Sequence, residues 1–302
     1  MNIIKITGGL GNQMFQYALY LKLKSMGRKV KMDAITEYTK ENPRPNMLWC
    51  FDAEYEEASR EDINILTDGF MKFSHRVRRK IFGRKSLEYH EKDYNFDAQI
   101  LEREPAYFTG YFQSEKYFKD IEGQVRREFT FSEKIWEISD KALVEKIRDY
   151  QKQIEGTKAV SLHVRRGDYL TSSEVYGGIC TDAYYQKAIA VMKEKVPEAV
   201  FYVFSNEPIF VREWLLKNYP DEDKFVVVEG TTEDTGYLDL FLMSKCRHHI
   251  VANSSFSWWG AWLNPDKDKI VIAPDRWLNH QEVRDIYTEG MIRISPQGKL
   301  VQ

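Results

Sequence analysis

The fold is decided by the stretch at residues 159–168, which reads AVSLHVRRGD. Its apolar first half predicts a strand over Ala159–Val164, and Gly167 permits a tight turn where the strand gives way to a loop. Beyond it, short apolar runs alternate with helical patterns. We predict strands at Val200–Phe204, Phe225–Val228, Ile250–Ala252 and Ile270–Ala273, and helices at Asp182–Val196, Pro208–Tyr219, Thr235–Cys246 and Ser255–Leu263. Repeated βα units imply a parallel sheet with helices on both faces.

The first half of the chain carries a less regular α/β pattern. We predict strands at residues 2–6, Lys29–Asp33 and Ala106–Phe112, a helix from Asn12 to Met26, and helical segments at Ser114–Glu128 and Glu133–Gln153. A chain of 302 residues exceeds the usual single-domain size of about 100–200 residues. We therefore predict two lobes, 1–155 and 156–302, with Gly156 opening the linker.

Composition narrows the class of protein. With 43% hydrophobic residues, 30% charged residues and a formal net charge of -2, the chain is typical of a globular protein and lacks the positive excess of a nucleic-acid binder. Cys50, Cys180 and Cys246 are far apart and form no CxxC pair, which favours reduced thiols over a disulfide framework or a zinc site. Without a signal-peptide pattern or a membrane-spanning run, a cytoplasmic protein is expected.

One basic cluster stands out at His75–Lys85. Such a cluster is usually a solvated face. The alternative is a peripheral contact with an anionic surface on the inner face of the membrane, or with a lipid-linked substrate.

In an open parallel sheet, ligands bind at the carboxyl ends of the strands. Four segments follow predicted strands directly: His163–Asp168, Ser205–Pro208, Asn253–Ser257 and Pro274–Trp277. In the first of them, Arg165 and Arg166 present guanidinium groups whose planar fork matches the oxygens of a diphosphate. Asp168 follows and can orient a guanidinium. A surface ion-pair cluster is the competing interpretation.

The third segment combines a strand end with a helix start. It reads Asn253-Ser254-Ser255-Phe256-Ser257, and a helix N-terminus with hydroxyl groups is a suitable anion site, although ordinary capping also uses such residues. In the second segment, Ser205 and Asn206 could bond a ribose or a base, or form a turn.

The glycine-rich turn at residues 8–13, which reads GGLGNQ, lacks the lysine and spacing of a P-loop. We expect this turn instead to let a substrate approach the backbone closely. No metal-ligand spacing is found, since His248 and His249 are neighbours that would point apart on a strand.

Taken together, these motifs resemble the bacterial α-1,2-fucosyltransferases, glycosyltransferase family 11. The matching stretches follow the family's order and cover nearly the whole chain; they are Gly8–Ala18, His163–Tyr169, Val203–Glu207, Leu242–Cys246 and Asn253–Leu263.

The resemblance implies an α/β, GT-B-like fold with two Rossmann-like lobes and a donor-binding cleft between them. The N-terminal lobe would face the acceptor, and the C-terminal lobe would bind GDP-fucose. The implied reaction is inverting transfer of L-fucose to the 2-hydroxyl of a terminal β-galactoside, in an oligosaccharide or lipid-linked glycan of polysaccharide or O-antigen biosynthesis. No cofactor or divalent metal ion is expected.

The resemblance also implies residue roles. Arg165 and Arg166 would hold the pyrophosphate, and His163 the ribose or base. Asp168 would act either as the catalytic base or, as we prefer, as the carboxylate that positions the arginines. The remaining candidates for donor or acceptor contact are Gly11, Asn12, Gln13, Ser205, Asn206, Asp239 (guanine), Asn253, Ser254, Ser255 and Phe256.

Two other functions use the same residues. Donor motifs constrain acceptors poorly, so a fucosyltransferase with another acceptor, such as a protein hydroxyl or a different sugar position, is the second hypothesis. The third is a carbohydrate-binding protein that stacks sugars on its seven tryptophans. The helical spacing of Trp258, Trp259 and Trp262 instead favours core packing.

Overall fold

The computed structural model describes residues 1–37, 45–138, 140–165 and 173–301. The chain divides into two compact units, Met1–Thr130 and Phe131–Gln302. The boundary predicted after residue 155 lies later in the chain, at the end of a helix of the second unit. That helix, Lys141–Glu155, contacts the helix at Tyr237–Lys245 and the strand at Lys158–Val164.

Strands and helices alternate along much of the described chain. The strands are β1 (Asn2–Lys5), β2 (Val30–Asp33), β3 (Glu88–His90), β4 (Ala106–Thr109), β5 (Lys158–Val164), β6 (Ala199–Ser205), β7 (Phe225–Val227), β8 (His248–Ile250), β9 (Val271–Pro274), β10 (Ile292–Ile294) and β11 (Leu300–Val301). The helices are α1 (Leu10–Ser25), α2 (Arg60–Thr67), α3 (Phe73–Phe82), α4 (Ala98–Glu102), α5 (Glu122–Glu128), α6 (Lys141–Glu155), α7 (Ser173–Tyr176), α8 (Asp182–Lys195), α9 (Pro208–Asn218), α10 (Tyr237–Lys245) and α11 (Ser255–Leu263).

The first unit is built on a four-stranded parallel sheet in the order β2-β1-β4-β3. Helix α1 begins directly after a turn in which Gly8 has a φ of 76°. A side chain is disfavoured at this position, because L-residues rarely adopt this φ and a Cβ on Gly8 would also displace the Asn12 side chain, whose Nδ2 atom would lie 2.6 Å away. The glycine therefore allows a buried strand to lead at once into a buried helix.

The second unit is built on a seven-stranded sheet in the order β11-β10-β9-β8-β5-β6-β7. Its strands pair in parallel except for β11, which runs antiparallel to β10. Counted from β5, this is the strand order 3-2-1-4-5-6 of a doubly wound dinucleotide-binding fold. The predicted fold class is thereby confirmed as α/β and GT-B-like with two Rossmann-like units, whereas the cleft between the lobes stays a prediction.

The tryptophans of α11 belong to the core of the second unit. Trp258, Trp259 and Trp262 are at most 5% exposed. The rings of Trp258 and Trp262 stack on each other, and Trp259 meets both edge to face. Buried rings offer no surface for a sugar, so the structure gives no support to a carbohydrate-binding role for these three.

Two predicted helical segments are only partly helical. Residues 114–128 form two short 3₁₀ helices, Glu115–Tyr117 and Lys119–Ile121, before α5. The segment 133–153 begins with a separate 3₁₀ helix, Glu133–Trp136, and α6 starts afresh where Asp140 caps the backbone N–H of Leu143 at 3.0 Å. In both segments, N-capping side chains begin new short helices and so interrupt the regular pattern.

The strand predicted at Ala106–Phe112 ends at Thr109. Beyond it, the carboxylate of Glu91 accepts hydrogen bonds from the backbone N–H groups of Tyr111, at 2.7 Å, and Phe112, at 3.0 Å. These bonds replace a strand partner, and Phe112 takes a positive φ of 54°. The chain therefore turns away from the sheet here.

Candidate active site

The chain order of the second sheet changes direction at β5. The chain leaves β5 through β6 and β7 on one side, and then returns with β8, β9 and β10 on the other. Helices that follow β5 and β8 lie on opposite faces of such a sheet, so the loops after these two strands separate and leave a crevice. The sequence-predicted segments His163–Asp168 and Asn253–Ser257 follow these two strands.

His163 lies near the carboxyl end of β5 and is 5% exposed. Its imidazole Nδ1 is buried and has no hydrogen-bond partner among the described residues. Burial, helped by the charge of Arg165, lowers the pKa of His163 to about 3. The imidazole is therefore neutral at physiological pH, and it adds no positive charge to the site.

Arg165 follows the last residue of β5 and is half-buried. The register pairs Val164 with Ser205 across to β6, so Arg165 emerges beside the loop that carries Asn206. The predicted partners Arg166 and Asp168 lie outside the described residues. Of the two predicted arginines, Arg165 is therefore the one whose place the structure describes, at the centre of the carboxyl edge of the sheet.

Helix α11 begins beside β5. Its N-cap is Ser254, whose side chain makes no capping hydrogen bond. The ring of Phe256, in the first turn, lies 6.1 Å from the ring of His163. The structure therefore brings the predicted Ser254–Phe256 segment together with the end of β5. The first turn of a helix presents backbone N–H groups and the positive end of the helix dipole, which favour an anion.

Asn253 has a different place from the one expected of a donor ligand. Its side-chain amide donates to the carbonyl oxygens of Trp277, at 3.2 Å, and Tyr176, at 3.4 Å. Its Oδ1 atom accepts a weak bond from the thiol of Cys180 at 3.5 Å. These contacts tie together three loops at the carboxyl edge, so the described geometry favours a supporting role behind the serines.

Ser205 and Asn206 follow β6. The hydroxyl oxygen of Ser205 accepts a bond from the backbone N–H of Glu207 at 3.1 Å, which is a turn contact, whereas Asn206 is exposed. Of the two interpretations left open by the sequence, the described contact of Ser205 fits the turn.

Asp239 lies in the first turn of α10, after β7. One carboxylate oxygen accepts a hydrogen bond from the Thr231 hydroxyl at 3.0 Å. The other, Oδ1, is buried without a partner in the described part of the chain. Burial raises the pKa of Asp239 to about 7, and the bond from Thr231 lowers it only in part. A buried carboxylate oxygen without a donor is an expensive arrangement that a ligand with N–H groups would relieve.

Asp275 is a further candidate residue, which the sequence alone did not single out. It follows β9, within the predicted segment Pro274–Trp277, and burial raises its pKa. Four buried side-chain polar atoms lack partners within the described ranges, and three of them are His163 Nδ1, Asp239 Oδ1 and Asp275 Oδ1. These three residues lie at, or in the helix after, carboxyl ends of strands in one sheet. Position after a strand was the signal that could have found Asp275; its missing partner is visible only in three dimensions.

The remaining predicted residues, Gly11, Asn12 and Gln13, lie in the first unit. Gln13 is fully buried, and its amide donates to the carbonyl oxygens of Gly8 and Pro45 while its oxygen accepts from the N–H of Met47. These bonds shape the glycine-rich turn, so a structural role accounts for Gln13. Asn12 is half-buried and accepts a bond from Gln113 at 2.8 Å.

The donor groups for a metal site are dispersed. Within the residues that the structure covers, no three His, Cys, Asp or Glu side chains come together as possible ligands. His248 and His249 have separate partners: His248 Nδ1 accepts a bond from the N–H of Ile270, and His249 bonds Ser161 and Asn264. Over the described ranges, every helix is too short or too polar to span a bilayer.

Sequence comparison assigns the family. The family model "Glycosyl transferase family 11" matches residues 61–295, which include every predicted site segment of the second unit. The chain belongs to glycosyltransferase family 11 and is a glycosyltransferase.

Two similar proteins align over nearly their full length. An alpha-1,2-colitosyltransferase of Escherichia coli is 29% identical over 97% of this chain and 98% of its own. The O-antigen biosynthesis glycosyltransferase WbnK of Escherichia coli is 30% identical over 90% of this chain and 93% of its own. A galactoside alpha-(1,2)-fucosyltransferase 1 of Rattus norvegicus is 32% identical over 51% of this chain and 41% of its own.

Proposed function

We propose that this protein transfers L-fucose from GDP-β-L-fucose, with inversion, to the 2-hydroxyl of a terminal β-galactoside. The observation that carries the proposal is the junction of β5 with the start of α11 at the switch point of a dinucleotide-binding sheet, where His163, two residues before Arg165, lies against Phe256 in the first turn of the helix. Family membership and the α-1,2 linkage in the names of two relatives support the reaction class.

The leaving group explains the need for this junction. As the bond from fucose to GDP breaks, negative charge grows on the β-phosphate, and fixed positive groups that meet this charge lower the barrier by several kcal/mol. We assign this role to Arg165 with the N-terminus of α11 and the hydroxyl of Ser254. By the family resemblance, Arg166 shares it, and Asp168 positions the guanidinium groups.

The base of the donor requires a different group. The Watson–Crick edge of guanine presents two adjacent donor groups, the ring N1–H and the exocyclic amino group. A carboxylate can accept a hydrogen bond from each. We assign this contact to Asp239, whose buried Oδ1 has no donor among the described residues. Since burial raises the pKa of Asp239 to about 7, donor binding would favour the ionised form and release a proton near neutral pH.

A second donor sugar is favoured by one comparison. The colitosyltransferase aligns over 97% of this chain, and colitose is fucose without its 3-hydroxyl. A site that bonds the 3-hydroxyl rejects the deoxy sugar by about 10⁴-fold, whereas an apolar site rejects an added hydroxyl by only about 10²-fold. We place fucose first because several relatives are named as fucosyltransferases. The name of WbnK suggests O-antigen assembly as the setting.

One experiment tests the donor, the acceptor and the metal together. Purified protein is incubated with GDP-fucose or GDP-colitose and a panel of β-galactosides, with EDTA or with Mg²⁺, and each product's mass and linkage are determined. We expect an α-1,2-fucosylated galactoside, formed equally in EDTA. A preference for GDP-colitose would replace the sugar but keep the reaction, and transfer to a protein hydroxyl would replace the acceptor. No transfer from either donor would refute the proposal, and loss of transfer in EDTA would refute its metal-free form.

A further inference from the structure

Helix α3 exposes its apolar side chains to solvent, which is the reverse of an ordinary surface helix. None of its residues is buried. Phe73, Val77 and Ile81 recur every four residues and share one face, where they are 81%, 39% and 66% exposed. Beside them, Met71 is 77% exposed and Phe82 is 72% exposed. Exposed apolar groups gathered in this way mark a contact surface.

The contacts that hold α3 to the first unit are polar. Arg78 forms an ion pair with Asp68, and Arg79 donates to the Asp68 carbonyl oxygen at 2.7 Å. The ring of His75 lies against that of Phe70, with centroids 4.7 Å apart. Charged residues thus face the protein, and the apolar residues lie among the exposed positions of the helix.

The charge of this surface has one sign. Residues 71–87 contain seven lysines and arginines and no acidic residue, although the whole chain has a formal net charge of -2. Lys72, Arg76, Lys80 and Lys85 are exposed, and none of their side chains pairs with a carboxylate in the described part of the chain. The exposed apolar residues are therefore bordered by cations that the protein leaves available.

We propose that the surface formed by residues 71–87 docks on an anionic membrane, with Phe73, Val77 and Ile81 in the headgroup region and the cations on lipid phosphates. Apolar residues bordered by Lys and Arg on a short helix are the pattern of interfacial binding. A second copy fits less well, because a symmetric pair would bring this surface against itself and place like charges opposite one another. The proposal is independent of which sugar the enzyme transfers.

Vesicle flotation tests the proposal with the full chain. Protein is mixed with phosphatidylcholine vesicles that contain or lack phosphatidylglycerol, at low and high salt. We expect binding only when phosphatidylglycerol is present, and weaker binding at high salt. The Phe73→Ser/Ile81→Ser variant should bind more than about tenfold more weakly. The Arg76→Gln/Lys80→Gln variant should lose about fivefold for each cation removed.

The matched control removes exposed apolar area elsewhere. Ile209 and Leu216 on α9 are 74% and 69% exposed and have Arg212 and Glu213 between them, so the Ile209→Ser/Leu216→Ser variant should bind vesicles as the wild type does. Thermal melts and transfer to a soluble acceptor check that each variant is folded. Equal binding to neutral vesicles, wild-type binding by Phe73→Ser/Ile81→Ser, or equal loss in the control would overturn the proposal. A different outcome would also overturn it: the wild type sediments as a dimer and binds no vesicles, and the Phe73→Ser/Ile81→Ser variant sediments as a monomer.

Discussion

Asp239 is a residue of the candidate site that should reduce the stability of the ligand-free protein. Its Oδ2 atom is bonded by Thr231, and its Oδ1 atom is buried without a partner among the described residues. Polar groups left in this state destabilise the ligand-free protein. They persist where a function requires them, because binding sites are selected for their ligand rather than for stability.

The stability of the ligand-free protein should therefore depend on this carboxyl group and on pH. Its pKa is about 7 in the folded protein, above the ordinary aspartate value of 3.8, so the folded state binds more protons than the unfolded state between these values. The contribution of this carboxyl group to stability is therefore fully present below about pH 4, and it is lost as the pH rises through about 7. We predict that Asp239→Asn equals the wild type near pH 4 and is more stable by about 1–3 kcal/mol near pH 8.

Urea unfolding of both proteins across this range measures the difference. Asp221→Asn, which changes an exposed carboxyl group, is the control and should leave the pH dependence unchanged. The same Asp239→Asn protein should bind GDP more weakly. A variant that is less stable than the wild type at alkaline pH would contradict the role of burial.

At the scale of elements, the position of the anion site depends on how closely α11 approaches α10. Gly260 on α11 is buried against Met243 on α10. A Cβ at Gly260 would lie 2.8 Å from the Met243 Cβ and 3.2 Å from its sulfur. The Cβ of Met243 cannot move without its backbone, so the helices themselves would have to separate.

Gly260→Ala should therefore destabilise the protein by about 1–3 kcal/mol, despite the better helix propensity of alanine. Because α11 also carries the first-turn N–H groups of the site, we expect weaker GDP binding by the folded variant. Gly123→Ala in α5 is the matched control, since the nearest atom to its Cβ is the Nη1 of Arg127 at 3.8 Å. Thermal or urea unfolding of both variants decides the matter, and equal stabilities would contradict the tight contact.

The regular elements were predictable because their signals are local. The strand–turn–helix pattern around Gly8 and the βα repeat after residue 158 were both found, with helix α11 at its predicted bounds. Tertiary contacts decided the rest. Nothing in the sequence next to Tyr111 shows that the carboxylate of Glu91 will bond its N–H and end a strand there. Likewise, the separate start of α6 depends on which of several polar residues becomes its cap.

The same limit applied to the candidate site. Arginine and serine after strands were recognisable, since strand ends can be read from the sequence. The use of Asn253 to tie loops together, and the missing partner of Asp275, depend on groups distant in the chain. The inverted polarity of α3 was likewise hidden, because a basic cluster alone does not reveal that Arg78 and Arg79 face inward and Ile81 outward.

For the molecule as a whole, the proposed donor site lies at one end of one sheet. Arg165 stands at the carboxyl end of β5, and Arg247 stands immediately before β8, at the amino end of the same sheet. Arg247 is 54% exposed and pairs with Asp266 at 3.2 Å. Comparing substitutions of these two arginines therefore tests whether GDP binds specifically at the carboxyl ends of the strands or is attracted to any arginine of the sheet.

The most direct test is the affinity for GDP, measured by isothermal titration calorimetry on the wild type, Arg165→Ala and Arg247→Ala. Loss of charge-assisted hydrogen bonds to the pyrophosphate should weaken binding by Arg165→Ala about 10–100-fold. Binding by Arg247→Ala should stay within about twofold of the wild type. Thermal melts establish that both variants are folded. Wild-type affinity in Arg165→Ala, or an equal loss in Arg247→Ala, would contradict a donor site at the carboxyl ends of β5 and β8.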